Sequence, residues 1–296
     1  MNYLIVCNTG SDSISKIPLI NNLNEKIISK EVNLKKDREK GPTSIYIHNN
    51  ISYIANNYDN SISVVDLDAE IERDILYVGA QPNDLIAFKN YLYIVCSESN
   101  ALVLFDIEEK KSILDIKLNS WPYNLDISDN LNLIFVSNFQ SNNISIIDTL
   151  TNQVVKNLEV FEYPTKIKVS KDKKYLYVCE SYMGDDKNGF VEIFDLKNFY
   201  SIRKIMVGKV PIDIYEEDNI IYVANLEDEN ITLINKKDFK KIGDIYVGGM
   251  PRSIIKYNNL LYLSDYLNGR VVCIDLENNN RKSIAIGKEP NAMILY

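Results

Sequence analysis

The chain has 296 residues, of which 46% are hydrophobic and 25% charged, so it carries enough apolar material for a substantial core and does not read as disordered. Its one histidine, His48, excludes chemistries that need two or more, such as multi-histidine metal sites and paired-histidine acid–base catalysis. With 33 basic and 41 acidic residues the net charge is −8, which disfavours nucleic acid as a partner.

The chain opens on Met1-Asn2-Tyr3-Leu4-Ile5-Val6-Cys7-Asn8, with no basic residue before a short apolar run and no small-residue cleavage pattern behind it. A secretory signal reads differently, and no stretch approaches the ~18 consecutive apolar residues of a membrane span. The expectation is a soluble cytoplasmic protein without a membrane partner.

After Pro18, prolines fall at positions 42, 82, 122, 164, 211, 251 and 290, spaced 39 to 47 residues apart. A fixed period in this range marks propellers, solenoids and arrays. A glycine often stands three positions earlier, as at Gly79, Gly208, Gly248 and Gly287. Three positions after each proline comes an apolar residue: Ile45, Leu85, Leu125, Ile167, Ile214, Ile254 and Met293. An apolar run then ends in a small residue and usually a polar one, as in Ile54-Ala55-Asn56, Val136-Ser137-Asn138 and Val223-Ala224-Asn225. A third run typically ends in Asp (Asp66, Asp106, Asp148, Asp195, Asp275), and a weaker fourth leads to the next proline.

The runs are short and rich in β-branched and aromatic residues, and Asn, Asp, Gly and Ser separate them, so they read as strands and turns. Four strands in each of seven units predict an all-β, seven-bladed propeller filling residues 1–296 as one domain. The units are 42–81, 82–121, 122–163, 164–210, 211–250, 251–289, and 290–296 with 1–41. The last unit holds a first strand only, and the chain begins at a second. Asn291 to Tyr296 are therefore expected to pair with Tyr3 to Cys7 in a composite blade that leaves no open edge. The cysteines form no C-x-x-C pair. Cys7, Cys96 and Cys179 share the slot held elsewhere by Ala55, Ser137, Ala224 and Ser264, so buried, reduced packing thiols are expected.

The unit G-x-x-P-x-x-[IVLM], followed by [Y/F]-V-x-N and I-x-V-I-D, resembles the YVTN-type β-propeller repeat family. Tyr177-Val178-Cys179-Glu180, Tyr222-Val223-Ala224-Asn225, Ile144-Ser145-Ile146-Ile147-Asp148 and Gly79-Ala80-Gln81-Pro82 carry the likeness, which spans essentially the whole chain. Such a resemblance implies the propeller but spreads over binding proteins, surface proteins and, more distantly, lactonases.

In a propeller the proline loops and the loops after each second strand share one face around the axis, where ligands usually bind. The second residues after the prolines include Asp84, Asn124, Lys166 and Asp213, flanked by Tyr123 and Arg252. The loops after the second strands add Tyr58, Phe139, Tyr182 and Tyr266. These ten residues are the candidate ligand-binding mouth, a polar, aromatic-rimmed site for a peptide, a protein or a small polar ligand; a solvated rim with scattered surface tyrosines is the alternative.

Asn8, Asn56, Asn138, Glu180, Asn225 and Asp265 form a second ring. The lactonase likeness would make them oxygen ligands for calcium. The alternative is that each bonds its own turn, which accounts for a repeated motif with no cofactor, and none is expected. The segment from Val178 to Val191 spans 13 residues, against 8 from Val136 to Ile144 and from Val223 to Ile231, and reads as a lengthened hairpin tip or a binding loop. The mixed-sign run Lys35 to Lys40 reads as an exposed connection, and His48 as a surface residue after the first strand of its blade. The functional expectation is a monomeric, non-catalytic binding scaffold. The rival is a metal-assisted, lactonase-like hydrolase. A streptogramin-lyase-like enzyme of this fold would be expected to use histidines.

Overall fold

The computed structural model describes residues 2–35, 38–48, 50–184 and 186–296. The first blade takes β1 (Tyr3–Asn8), β2 (Ser13–Pro18) and β3 (Lys30–Asn33). Then follow β4 to β7 (Pro42–His48, Ile51–Asn56, Ser61–Asp66, Ile71–Tyr77), β8 to β11 (Pro82–Phe88, Tyr91–Cys96, Ala101–Asp106, Lys111–Lys117) and β12 to β15 (Pro122–Ser128, Leu133–Asn138, Asn143–Asp148, Gln153–Glu159). The last are β16 to β19 (Pro164–Val169, Tyr175–Glu180, Phe190–Asp195, Ser201–Met206), β20 to β23 (Pro211–Glu217, Ile220–Asn225, Asn230–Asn235, Lys240–Tyr246), β24 to β27 (Pro251–Tyr257, Leu260–Asp265, Arg270–Asp275, Arg281–Ala285) and β28 (Pro290–Leu295). They form seven antiparallel four-stranded sheets, a seven-bladed β-propeller in which every repeat proline opens a first strand. Residues 1–85 with 248–296 make one compact unit and residues 86–247 another.

Burial explains the strand grammar. In the second strand β13 every residue after Leu133 is buried, because both faces of the sheet are covered there, so the strand reads as one apolar run. The fourth strand of the same blade, β15, is mostly exposed and correspondingly polar. The Asp that ends five of the seven third strands is a turn device: Asp66, Asp106, Asp148, Asp195 and Asp275 each accept the backbone N–H two residues on, at 2.7–3.0 Å. Asparagine is the commonest residue at left-handed turn positions, as at Asn60, Asn100 and Asn142, because its short side chain tolerates φ above zero.

The ring closes as the sequence predicts. β28 pairs antiparallel with β1, bringing Leu295 opposite Leu4 and Met293 opposite Val6. Beyond the strand, the Tyr3 N–H donates to the Tyr296 carbonyl at 2.7 Å and the Tyr296 N–H donates back at 2.8 Å. All four cysteines are free and buried, and burial raises the thiols of Cys7, Cys179 and Cys273 far above their ordinary range, that of Cys273 to about 12.

Two sequence expectations change. His48 is exposed, as expected, but it is the last residue of β4 and does not follow the strand. Lys36 and Asp37 of the charged run lie outside the described residues. At the end of that run Lys40 is buried, with Nζ 3.4 Å from Asp59 and 3.8 Å from Glu72. A lysine this deep persists because carboxylates compensate its lost hydration, so the run ends in an internal ion cluster. Among the described residues no helix is long and apolar enough to cross a membrane.

Candidate functional site

The proline-loop face is built by two repeated devices. The first explains the asparagine at the end of the second strand. Its side-chain amide donates into its own hairpin: Asn8 to Ser13 and Ser15, Asn56 to Ser61 and Ser63, Asn138 to Asn143 and Ser145, Asn225 to Asn230 and Thr232, all at 2.7–3.0 Å. The loop glycine lies against this amide. A Cβ on Gly208 would stand 2.7 Å from Asn225 Cγ, and one on Gly287 2.7 Å from Asn8 Cγ, so a side chain there would clash.

The second device sets the residue before the proline. Gln81, Trp121 and Tyr163 all have φ near +50°, at 57°, 56° and 47°. Each N–H is held by the left-handed asparagine of the preceding hairpin turn: Gln81 by Asn60 at 2.8 Å, Trp121 by Asn100 at 2.8 Å, Tyr163 by Asn142 at 3.0 Å. A bulky residue at positive φ is strained, and here a hydrogen bond to the neighbouring turn holds it.

The ten predicted mouth residues divide between the two units. In residues 1–85 with 248–296, Asp84 accepts a 2.5 Å hydrogen bond from Ser44. Arg252 bonds Asn291 at 2.8 Å and sits 5.4 Å from the Tyr266 ring centre. Burial and the nearby Glu289 carboxylate raise the Tyr266 phenol. The ring of Tyr58 packs under Gly41, where any Cβ would overlap it. In residues 86–247, Lys166 pairs with Asp213 at 3.4 Å, and Asn124 accepts the Ile167 N–H at 2.9 Å. Asp84, Asn124, Lys166 and Asp213 thus link adjacent first strands.

The remaining three, Tyr123, Phe139 and Tyr182, belong to an aromatic belt within residues 86–247. Tyr123 packs on Phe139 at 5.8 Å and Phe139 on Tyr163 at 4.9 Å. Two residues before Tyr163, Phe161 meets Tyr182 edge-on at 5.6 Å, and Tyr182 meets Phe190 at 6.3 Å. Lys204 Nζ lies 4.2 Å from the Phe161 ring centre and 5.0 Å from that of Phe190, and Lys187 lies 5.3 Å from that of Tyr182.

Under this belt Glu180 replaces the structural asparagine. One carboxylate oxygen accepts the Phe161 N–H at 2.9 Å, and the other pairs with Lys204, which also lies 3.8 Å from Glu192. Burial, and then the hydrogen-bonded neighbour Glu192, push the Glu180 carboxyl up to about 7, while Lys204 opposes the rise.

Sequence reasoning missed Phe161, Tyr163, Glu192 and Lys204, and met Phe190 only as the end of the lengthened loop. A signal was present: where four blades place Ser, Thr or Asn at the start of the third strand, this one has Phe190 and Glu192, next to its lengthened loop. Asp185 of that loop lies outside the described residues.

The calcium reading does not fit these side chains. Each asparagine amide is engaged in its own hairpin, and glycine backbone covers those of Asn8 and Asn225. Oδ1 of Asn8, Asn56, Asn138 and Asn225 is buried and has no hydrogen-bond partner, and each belongs to a different four-stranded sheet, one per hairpin. Among the described residues no three His, Cys, Asp or Glu side chains come together as metal ligands. At the opposite end of β16 lies a cavity of about 380 Å³ lined by Asp126, Lys168, Lys171, Lys173, Tyr215 and Glu216. Its three lysines are paired, with Asp126, Glu217 and Asp129.

Comparison with known proteins agrees with this fold. No curated protein sequence matches. Among solved structures, the chain is similar to Kuenenia stuttgartiensis hydrazine synthase (TM-score 0.72, 21% identity, 82% of this chain and 79% of that one). It is also similar to the computationally designed Ika8 protein (0.71, 12%, 97% and 85%) and to virginiamycin B lyase from Staphylococcus aureus (0.70, 15%, 84% and 86%). Identities this low establish shared architecture alone. The model of the YNCE-like beta-propeller family matches residues 20–222, more than half of the sequence, in accord with the YVTN-type repeats. The chain belongs to the YNCE-like β-propeller family.

Proposed function

We propose that the protein is a non-catalytic binding scaffold that captures a peptide, or a segment of a partner protein, on the proline-loop face of residues 86–247. The observation that carries this reading is the aromatic belt. Phe161 is 47% exposed although it packs against Tyr182 and Lys204. A ridge of large rings beside paired charges suits a chain that alternates apolar and polar groups. The fold itself does not decide activity, since proteins named as a synthase and a lyase share it. Four free, buried thiols favour a reducing compartment, and the reading places a monomer in the cytoplasm.

The test is affinity selection from a random peptide library, followed by titration of the selected peptides. Phe139→Ala and Phe161→Ala are compared with Asn278→Ala/Asn279→Ala, in the turn between β26 and β27 of the other unit. Loss of binding in the two belt variants alone supports the proposal. Loss in the Asn278→Ala/Asn279→Ala variant alone, or no peptide selected above background, overturns it.

A further inference from the structure

The structure carries an inference about what the belt recognises, and it rests on the binding reading above. We propose that the belt at Phe161 and Phe190, backed by Glu180 and Glu192, is a site for the ammonium group of a lysine presented by a bound peptide.

Charge balance is the first argument. Two carboxylates, Glu180 and Glu192, face one ammonium, Lys204. The Glu180 side chain is 1% exposed, so water does little to compensate it. One negative charge is left over. At acid pH a proton neutralises it, consistent with a Glu180 carboxyl raised to about 7. A second cation does the same without the proton. Lys187 lies over the Tyr182 ring, Lys166, paired with Asp213, sits on β16 opposite Cys179, and Glu192 also receives the Ser201 hydroxyl.

Ring geometry is the second. Lys204 already occupies the inner side of the cage, 4.2 Å and 5.0 Å from Phe161 and Phe190, which shows that these walls accept an ammonium. Phe161 is half exposed, so ring surface not taken by Lys204 or Tyr182 is open to a second one. A ligand ammonium there lies across the ring from Lys204, in the field of the Glu180 and Glu192 carboxylates, while Lys204 keeps both of its partners. At long range, a chain of net charge −8 attracts cationic ligands and repels anionic ones.

Binding a cation in place of the proton releases that proton. Affinity therefore rises with pH through the range where the Glu180 carboxyl loses its proton.

The probes are a capped peptide Gly-Leu-Lys-Leu-Gly and versions with glutamine or glutamate in place of its lysine, titrated calorimetrically into the full chain at pH 6 and pH 8. The lysine peptide should bind about tenfold tighter than the glutamine one at pH 8, and lose up to about tenfold between pH 8 and 6. Titrations in buffers of different ionisation enthalpy should show proton release at pH 7. Phe161→Ala should weaken the lysine peptide selectively, and Glu192→Gln should flatten its pH dependence. Unfolding curves confirm that both variants fold. Equal affinity for lysine and glutamine peptides, preference for glutamate, no binding of any probe, or an unchanged pH profile in Glu192→Gln overturns the inference. Library peptides that need Phe139 and Phe161 but no lysine sink this inference and leave the scaffold standing; an empty selection removes both.

Discussion

Asn138 and Glu180 end the second strands of neighbouring blades, and their side chains do opposite things. Asn138 turns into its own hairpin and donates to Asn143 and Ser145, holding the second and third strands together. Glu180 can donate nothing when ionised. It accepts from the Phe161 N–H of the incoming loop and binds Lys204 of the fourth strand. The asparagine position serves the blade, whereas the glutamate position joins the blade edge to the loop before it. Around Asn138 the third strand carries small polar partners. Around Glu180 it carries Phe190 and Glu192, and the hairpin is longer. A repeat architecture tolerates one such blade because its neighbours keep the geometry.

The comparison breaks most visibly at Asn138. Asn138→Ala removes both donated bonds inside a buried hairpin and should cost about 3 kcal/mol in urea unfolding. Glu180→Gln at pH 8 should cost close to nothing, since glutamine still accepts the Phe161 N–H and needs no proton. Equal losses from the two changes would refute the distinction.

Next is the glycine that covers the asparagine. Gly208→Ala should destabilise by about 2 kcal/mol through overpacking against Asn225 and Asp228. Asn225→Ala in the same chain should relieve part of that clash, so the double mutant should lose less than the sum of the singles. Strict additivity would mean that glycine and asparagine do not oppose one another.

A smaller effect separates the two positions by pH. The Glu180 carboxyl lies higher in the folded protein, at about 7, than in an unfolded chain. The folded state therefore holds this proton more tightly, and stability from this group is greatest below the unfolded value and falls as pH rises toward 7. Relative to Glu180→Gln, the wild type should lose on the order of 1–2 kcal/mol between pH 5 and 8. A difference that stays flat, or rises, across that range contradicts the assignment. Smallest of all, Phe161→Ala should change stability by about 0.5 kcal/mol or less because the ring is half exposed, while it lowers peptide affinity. A large loss of stability would make Phe161 a packing residue of the fold.

The sequence by itself determined the strand count, the blade boundaries at the prolines and the composite blade. These depend on local patterns: an apolar run where both faces are covered, as in β13, a terminal Asp that bonds its own turn, as at Asp148, and a surplus first strand at Pro290. Repetition made them legible, since seven copies of one pattern average out local noise. The candidate site was legible only in fragments. Tyr123, Phe139 and Tyr182 were marked by their loops, but Phe161 and Tyr163 were not, because a proline loop does not show which of its side chains the left-handed residue turns outward. Tertiary structure decided that, through the bond from the Tyr163 N–H to Asn142 in another hairpin. It also decided the charge cluster. Glu180, Glu192 and Lys204 are far enough apart in sequence to read as ordinary surface charges, and only strand pairing places Lys204 beside Glu192 and buries Glu180 beneath both. A strand pattern is set by neighbours along the chain, whereas electrostatic coupling depends on distances that only folding creates.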